Sequence, residues 1–270
     1  MSPRTSPYAF DNDSVHADDQ LALLGELLDP FTTRRLERLG VAQGWQCLEV
    51  GAGAGTVANW LADRVGIDGH VTATDIKPQR IVARDNLTAR RHNIVTDALP
   101  VRTYDLVHAR LVLMHLPQRQ MILDRLLMTL KPDGVLLLDE FDVSYAPVLE
   151  VPEGADPELF GKFNDALMAH LTSAGANVSW GRHASAAMRL AGYADVQAEA
   201  ELQIWRGGSP GCRLHHSNSL QLNDGLIASG MTARELGKLR EQLAHPRFSV
   251  AGYPIYSISA RTPPRDHGPW

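Results

Sequence analysis

Gly51, Gly53 and Gly55 stand at alternate positions in "LEVGAGAGTVANWL", directly after a run of apolar residues. Small residues at this spacing let a backbone approach a ligand closely. The helix that follows would present free N–H groups at its start. The dinucleotide fingerprint needs its third glycine at position 56, where this chain has Thr56, so the fit to NAD or FAD is one residue off. A P-loop would need Gly-Lys followed by Ser or Thr, and the stretch has none. Glu49, two residues before Gly51, suits a cationic ligand better than a pyrophosphate. Asp75 ends "HVTATD", 24 residues after Gly51 (75 − 51). An acid there accepts hydrogen bonds from both ribose hydroxyls and excludes a 2′-phosphate, but not NAD.

These residues must be positioned by alternating strands and helices. "WQCLEV" reads as a buried strand, "TVANWLADRVG" as a helix stopped at Gly66, and "HVTATDI" as a second strand followed by a helix from near Pro78. "NLTARRHNI" and "YDLVHAR" are the third and fourth strands. "QRQMILDRLLMTLKPDG" is a helix, and "VLLLDEF" is the fifth strand. This rhythm predicts βαβ units, a mostly parallel sheet and a ligand crevice at the carboxyl ends of the strands. Upstream, "DDQLALLGELLDP" reads as one helix ending near Pro30, and "FTTRRLERLGV" as a second closed by Gly40. Downstream, residues 142–155 form a Pro-containing loop and residues 156–176 a helix. "GRHASAAMRLAGY" is another helix, "ADVQAEAELQIW" a long strand, residues 210–245 two helices, and "RFSVAGYPIYSISAR" a last strand. The division expected is an N-terminal helical arm or lid at 1–40, a cofactor-binding core at 41–141 and a cap insertion at 142–180. The rest of the core, at 181–270, carries a second helical cap segment near 210–245.

The totals narrow the class. With 270 residues, 44% hydrophobic and 21% charged, the chain is an ordinary globular composition. A net charge of −5 argues against a nucleic-acid partner. No apolar run reaches the roughly 18 residues of a membrane span. The polar stretch "MSPRTSPYAFDNDSVHADDQ" has no signal-peptide core. Cys47 and Cys212 lie far apart without metal-type spacing and read as reduced thiols of a cytoplasmic protein.

"LEVGAGAG", "TATDI", "RRHNI", "YDLVHARLVLMHLP" and "LKPDGVLLLDEF" stand in the order and spacing of the class I S-adenosylmethionine-dependent methyltransferases. Residues 40–141 resemble that family closely. More narrowly, the chain resembles actinobacterial small-molecule methyltransferases of secondary metabolism, with a helical arm and a helical cap. The resemblance implies a Rossmann-like, seven-stranded, mostly parallel sheet with helices on both faces, S-adenosylmethionine as cofactor, a small hydrophobic methyl acceptor and a homodimer. It implies that Glu49, Gly51, Ala52, Gly53 and Gly55 hold the methionine part of the cofactor. Asp75 would hold the ribose, Ile76 would pack on the adenine, and Ala109 and Arg110 would line the methionine end. Where the family has an acid after the third strand, this chain has Asn93 followed by Ile94, with Asp97 as the alternative acceptor for the adenine amino group.

Methyl transfer is an in-line displacement at an activated carbon, so the protein chiefly aligns the acceptor and excludes water. A base helps with hydroxyl or activated C–H acceptors. His115 in "LMHLP" and His215 in the cap are the candidates, and His108 reads as packed inside its strand. Glu140, Asp142 and His216 are candidate acceptor contacts. Tyr8 and Phe10 in the polar arm would fold over the site or pack on a partner subunit. Trp180, Trp205, Met168 and Leu171 would supply an apolar acceptor pocket or the cap's core. "LDEFD" lacks the partner motif of a metal-dependent catechol enzyme, and no metal is expected. Two other readings fit the same scaffold: a cyclase or rearrangement enzyme that keeps the cofactor, and an NAD-dependent dehydrogenase.

Overall fold

A computed structural model describes residue 10 and residues 16–264 of the chain. Its centre is a seven-stranded sheet in the order β3-β2-β1-β4-β5-β10-β7. The strands are β1 (Gln46–Val50), β2 (His70–Asp75), β3 (Leu87–Arg91), β4 (Tyr104–Arg110), β5 (Leu130–Phe141), β7 (Ala194–Glu201) and β10 (Ile255–Arg261). β1 to β5 pair in parallel, and β10 runs antiparallel between β5 and β7. The strand order reverses beside β1, with β2 on one side and β4 on the other, so the crevice opens at the carboxyl ends of β1 and β4.

Local sequence explains the first unit. Helix α2 (Thr56–Val65) buries Val57, Ala58, Leu61, Ala62 and Val65, an i, i+4, i+8 stripe with its neighbours, against Cys47, Val71 and Leu87 of the sheet. Leu61 is fully buried, which contributes roughly 1.5–3 kcal/mol. Gly66, at φ 67°, ends the helix in a conformation that disfavours any side chain. On the other face, α3 (Arg119–Thr129), α4 (Leu159–Ser173) and α5 (Trp180–Leu190) join the larger core.

Pro30 does not end a helix. One continuous helix, α1 (Ala17–Arg38), runs through it. Proline removes a single N–H donor, but Leu27, Leu28 and Phe31 around it are buried, and that packing carries the helix past the missing bond. The helix expected near Pro78 is only a 3₁₀ turn, Pro78–Arg80. Both long C-terminal strands are broken. "ADVQAEAELQIW" divides into β7 and β8 (Ile204–Arg206), and "RFSVAGYPIYSISAR" into β9 (Ser249–Ala251) and β10. β8 and β9, with β6 (Val148–Glu150), make a separate antiparallel sheet in the order β6-β9-β8. Residues 210–245 hold three helices, α6 (Pro210–Gln221), α7 (Asn223–Ala228) and α8 (Ala233–Ala244), rather than two. No helix among the described residues is long and apolar enough to cross a membrane.

Candidate cofactor site

A cavity of about 180 Å³ lies at the carboxyl ends of β1, β2 and β4. Its floor is the glycine turn. Gly51 and Gly53 have φ of 67° and 54°, the left-handed region that glycine enters without strain. A Cβ at Gly51 would stand 2.4 Å from Val112 Cγ2, so the wall after β4 packs directly on the turn. Asp75 anchors the turn from β2. Its Oδ2 accepts the Gly53 N–H at 3.0 Å and its Oδ1 the Lys77 N–H at 2.8 Å. An ionised carboxylate has further lone pairs on both oxygens, so the aimed group can still accept from two hydroxyls.

Gly51, Ala52, Gly53, Asp75, Ile76, Asn93, Ile94, Arg110 and His115 all line this one cavity. Arg110 is held by Asp29 of α1 at 2.8 Å and donates to Thr32 Oγ1 at 3.3 Å. Asn93 Oδ1 accepts the Val95 N–H at 3.0 Å, while Asp97 accepts the Asn93 N–H at 2.9 Å and is not part of the lining. Thr56, at the position of the missing third glycine, opens α2 and donates to Asp29 at 3.1 Å.

Other expected residues stand elsewhere. Gly55 (φ 79°) shapes the start of α2, and Ala109 is fully buried within the sheet; neither lines the cavity. Glu49 does not line the cavity; its Oε2 meets His108 Nδ1 at 2.7 Å. His108 Nε2 in turn lies 3.4 Å from Asp139 Oδ2, which also accepts from Thr32 of α1 at 2.6 Å. Glu49, His108 and Asp139 are at most 3% exposed. Burial opposes a charge on His108, but Glu49 and Asp139 outweigh it and raise its pKa to about 9. Burial likewise opposes the Asp139 charge, yet His108, Ser257 and Thr32 hold that carboxyl below its ordinary range.

Four candidates for chemistry leave the cavity. His215 is fully buried among Phe160, Phe163, Trp205 and Tyr253, with ring centroids 5.0–5.7 Å away, and neither ring nitrogen has a hydrogen-bond partner among the described residues. Burial pushes its pKa down to about 3, as befits a neutral core residue. His216 lies beside Arg240 and His16; burial first, then those two groups, lower its pKa. Asp142 accepts from Ser144 N at 3.0 Å and pairs with Arg182 at 2.9 Å, fixing a chain corner. Glu140 is fully buried behind the cavity wall and accepts the Leu113 N–H at 2.8 Å. Burial raises its pKa to about 8, against the pull of the Leu113, Met114 and Val112 amides. Trp180, Leu171 and Trp205 belong to the buried core, and Met168 packs against it. Tyr8 falls outside the described residues. Phe10 is buried, and its ring meets His115 edge-on at 6.1 Å. Burial, then Arg119, lowers the His115 pKa to about 4, which leaves a neutral imidazole at the cavity.

Sequence reasoning missed Leu21 and Leu24 of α1, which close the cavity from above, and Thr74, His92, Leu111, Val112 and Leu116. The helical stripe in α1 was visible, but nothing local says which surface it covers. Among the described residues no group of three His, Cys, Asp or Glu side chains is placed to hold a metal ion.

A glycine cradle backed by a valine, an acid at the end of the next strand and a neighbouring apolar slot are the features with which α/β sheets hold nucleosides at the carboxyl ends of their strands. The comparisons with known proteins narrow this. Residues 48–136, about a third of the chain, match the family model described as a methyltransferase domain. Methyltransferase str2 of Strobilurus tenacellus is 32% identical over 145 residues, 52% of this chain and 51% of that protein. The ubiquinone/menaquinone biosynthesis C-methyltransferase UbiE of Laribacter hongkongensis is 31% identical over 124 residues, 43% of this chain and 51% of that protein. The chain thus spans about half the length of these curated relatives. The Haemonchus contortus phosphoethanolamine N-methyltransferase 2, solved with S-adenosyl-L-methionine, shares the fold at TM-score 0.58 and 14% identity, over 97% of this chain and 61% of that one.

The glycine turn gives a direct test of the cradle. Gly51→Ala is expected to lower folding stability by about 1–2 kcal/mol, the cost of left-handed backbone, and to weaken S-adenosylhomocysteine binding by displacing Val112. Urea unfolding and calorimetry together check this; an alanine variant indistinguishable from wild type in both would mean that the turn is not held as described.

Proposed function

We propose that the protein transfers a methyl group from S-adenosylmethionine to an oxygen, nitrogen or carbon of a small, fairly hydrophobic molecule. The acceptor's place in secondary metabolism rests on the resemblance to actinobacterial enzymes. The working form in this reading is a cytoplasmic homodimer with neither nucleic acid nor membrane as partner. One observation carries the proposal: the left-handed turn at Gly51 and Gly53 and the carboxylate of Asp75 face one cavity and are bonded to each other.

The cofactor, when bound, supplies a methyl group already activated on a sulfonium. The chain's own residues hold and orient. Asp75 accepts the ribose hydroxyls, Ile76 and Ile94 flank the adenine, and Arg110 meets the methionine end. Asn93 keeps its amide N–H₂ free to donate, because its carbonyl oxygen is engaged by Val95. Glu49, Gly55 and Ala109 act from behind the cavity surface. Leu21, Leu24, Leu111, Val112 and Leu116 exclude water and favour an apolar acceptor. His115 is the polar group on that side, and as a neutral imidazole it can accept a hydroxyl or amine proton.

Calorimetric titration with S-adenosylmethionine, S-adenosylhomocysteine and NADH tests the reading. Micromolar binding of the first two without the third is expected, and binding of NADH alone would overturn it. Given an acceptor found by screening, His115→Ala should lower turnover about 10²-fold. The acid limb of the wild-type pH–rate profile should then fall near the pKa of about 4, because the base works only unprotonated. Full turnover in the alanine variant would remove His115 from the chemistry.

A further inference from the structure

The segment after β4 enters the cavity in a conformation that its own sequence does not favour. Leu111 has φ 54°, left-handed backbone in a large side chain without a glycine's freedom. Such a kink persists only where the surroundings fix it. Its own N–H is bonded to Asp139 O at 2.9 Å, which extends the β4–β5 pairing by one step. Beyond it, Val112, Leu113 and Met114 turn their N–H groups toward a single side chain, the buried carboxyl of Glu140 on β5, and Leu113 donates to Oε1 at 2.8 Å. The carbonyls on the other edge of the turn are held too. Leu113 O accepts from Arg119 Nε at 3.3 Å, and Met114 O from the Asn177 N–H at 2.8 Å. Arg119 is itself fixed by Gly175 O at 3.1 Å and by Trp180, whose ring lies 5.5 Å below the guanidinium.

We propose that Glu140 is a positioning residue for the cofactor cavity. Its carboxyl holds residues 112–114 so that Leu111 and Val112 press on the glycine turn and His115 faces the cavity. This rests on the reading of that cavity as the cofactor site. The coupling is steric: Val112 Cγ2 stands where a side chain at Gly51 would be, so a wall freed from Glu140 shifts against the turn that cradles the ligand. What the turn needs is an acceptor oxygen at the right depth, not a charge, because Oε2 has no hydrogen-bond partner among the described residues. A glutamine keeps that oxygen. An aspartate withdraws it by one methylene, and a leucine removes it.

The test is S-adenosylhomocysteine affinity by calorimetry on wild type, Glu140→Gln, Glu140→Leu and Glu140→Asp, each checked for folding by circular dichroism. Glu140→Gln should bind within a few-fold of wild type. Glu140→Leu and Glu140→Asp should bind about tenfold or more weakly while folded, the effect of stranding buried N–H groups. Amide exchange at Val112 to Met114 should speed up in Glu140→Asp and not in Glu140→Gln, which a general loss of stability would not reproduce. Should Glu140→Leu fail to fold, Glu140→Asp carries the comparison. Folded Glu140→Asp with wild-type affinity and protection would overturn the proposal alone. Wild-type protein that binds no S-adenosylhomocysteine would overturn the cofactor reading and this proposal with it.

Discussion

His108→Leu is expected to lower folding stability by about 3–5 kcal/mol, the usual effect of removing one partner from a buried ionic group. The imidazole is fully buried between Glu49 at 2.7 Å and Asp139 at 3.4 Å. The loss comes less from the missing attraction than from two carboxylates left in a medium that cannot solvate them. The pH dependence gives the sign. The folded pKa of about 9 lies above the ordinary 6.5. The contribution of His108 is therefore fully present below pH 6.5 and is lost as pH rises through about 9. The stability gap between wild type and variant should shrink over that range. Buried Glu140, with its pKa raised to about 8, also makes stability fall as pH rises from 4.5, but it does so in both proteins and drops out of the difference. Urea unfolding at pH 6 and pH 9.5 measures the gap. A gap that is small at pH 6, or that widens toward pH 9.5, would show that the imidazole carries no charge in the folded protein.

The consequence reaches the site through α1. Asp139 accepts from Thr32 and Arg110 pairs with Asp29, so the helix that places Leu21 and Leu24 over the cavity is tied to the same polar groups beneath it. This is the part of the molecule the sequence could not disclose. Glu49 and Asp139 lie 59 and 31 residues from His108, and no local pattern pairs them. By contrast, the β1-α2-β2 unit was legible. An apolar run, three alternating glycines, an amphipathic stripe and a terminal Asp75 each act within a few residues, and each fixes one local feature. Leu111 marks the boundary between the two cases. In sequence it continues an apolar strand; in the structure it is the left-handed kink that long-range bonds to Asp139 and Glu140 impose.

The C-terminal half shows the same division. Its helices and strands were readable as periodicities. The breaks at Leu202-Gln203 and Gly252-Pro254 were not, because they are set by β9 pairing with both β8 and the distant β6 in a second sheet. Packing between distant segments also explains the fate of His215. A histidine on a helix beyond the core strands looked free to fold over an acceptor, but the helix turns it inward, among four aromatic rings. The cavity is instead bounded by α1 and by the wall at 111–116.

Asp75→Ala should weaken S-adenosylmethionine binding by about 1–3 kcal/mol, roughly 5- to 150-fold. Two losses combine. The ribose hydroxyls lose their acceptor, and the Gly53 and Lys77 N–H groups lose the oxygens that hold the glycine turn in register with β2. The second loss makes Asp75→Asn equally informative. Both carboxylate oxygens accept from backbone N–H, so an amide must aim its own N–H₂ at one of those donors, and no rotation avoids the clash. Asparagine should therefore fail to rescue, although a ribose contact alone would tolerate it. Calorimetry on the folded variants separates the cases. Full affinity in Asp75→Ala would remove the residue from the cofactor site. Full affinity in Asp75→Asn with a loss in Asp75→Ala would leave Asp75 as a ribose acceptor only, with the glycine turn held by its own left-handed backbone.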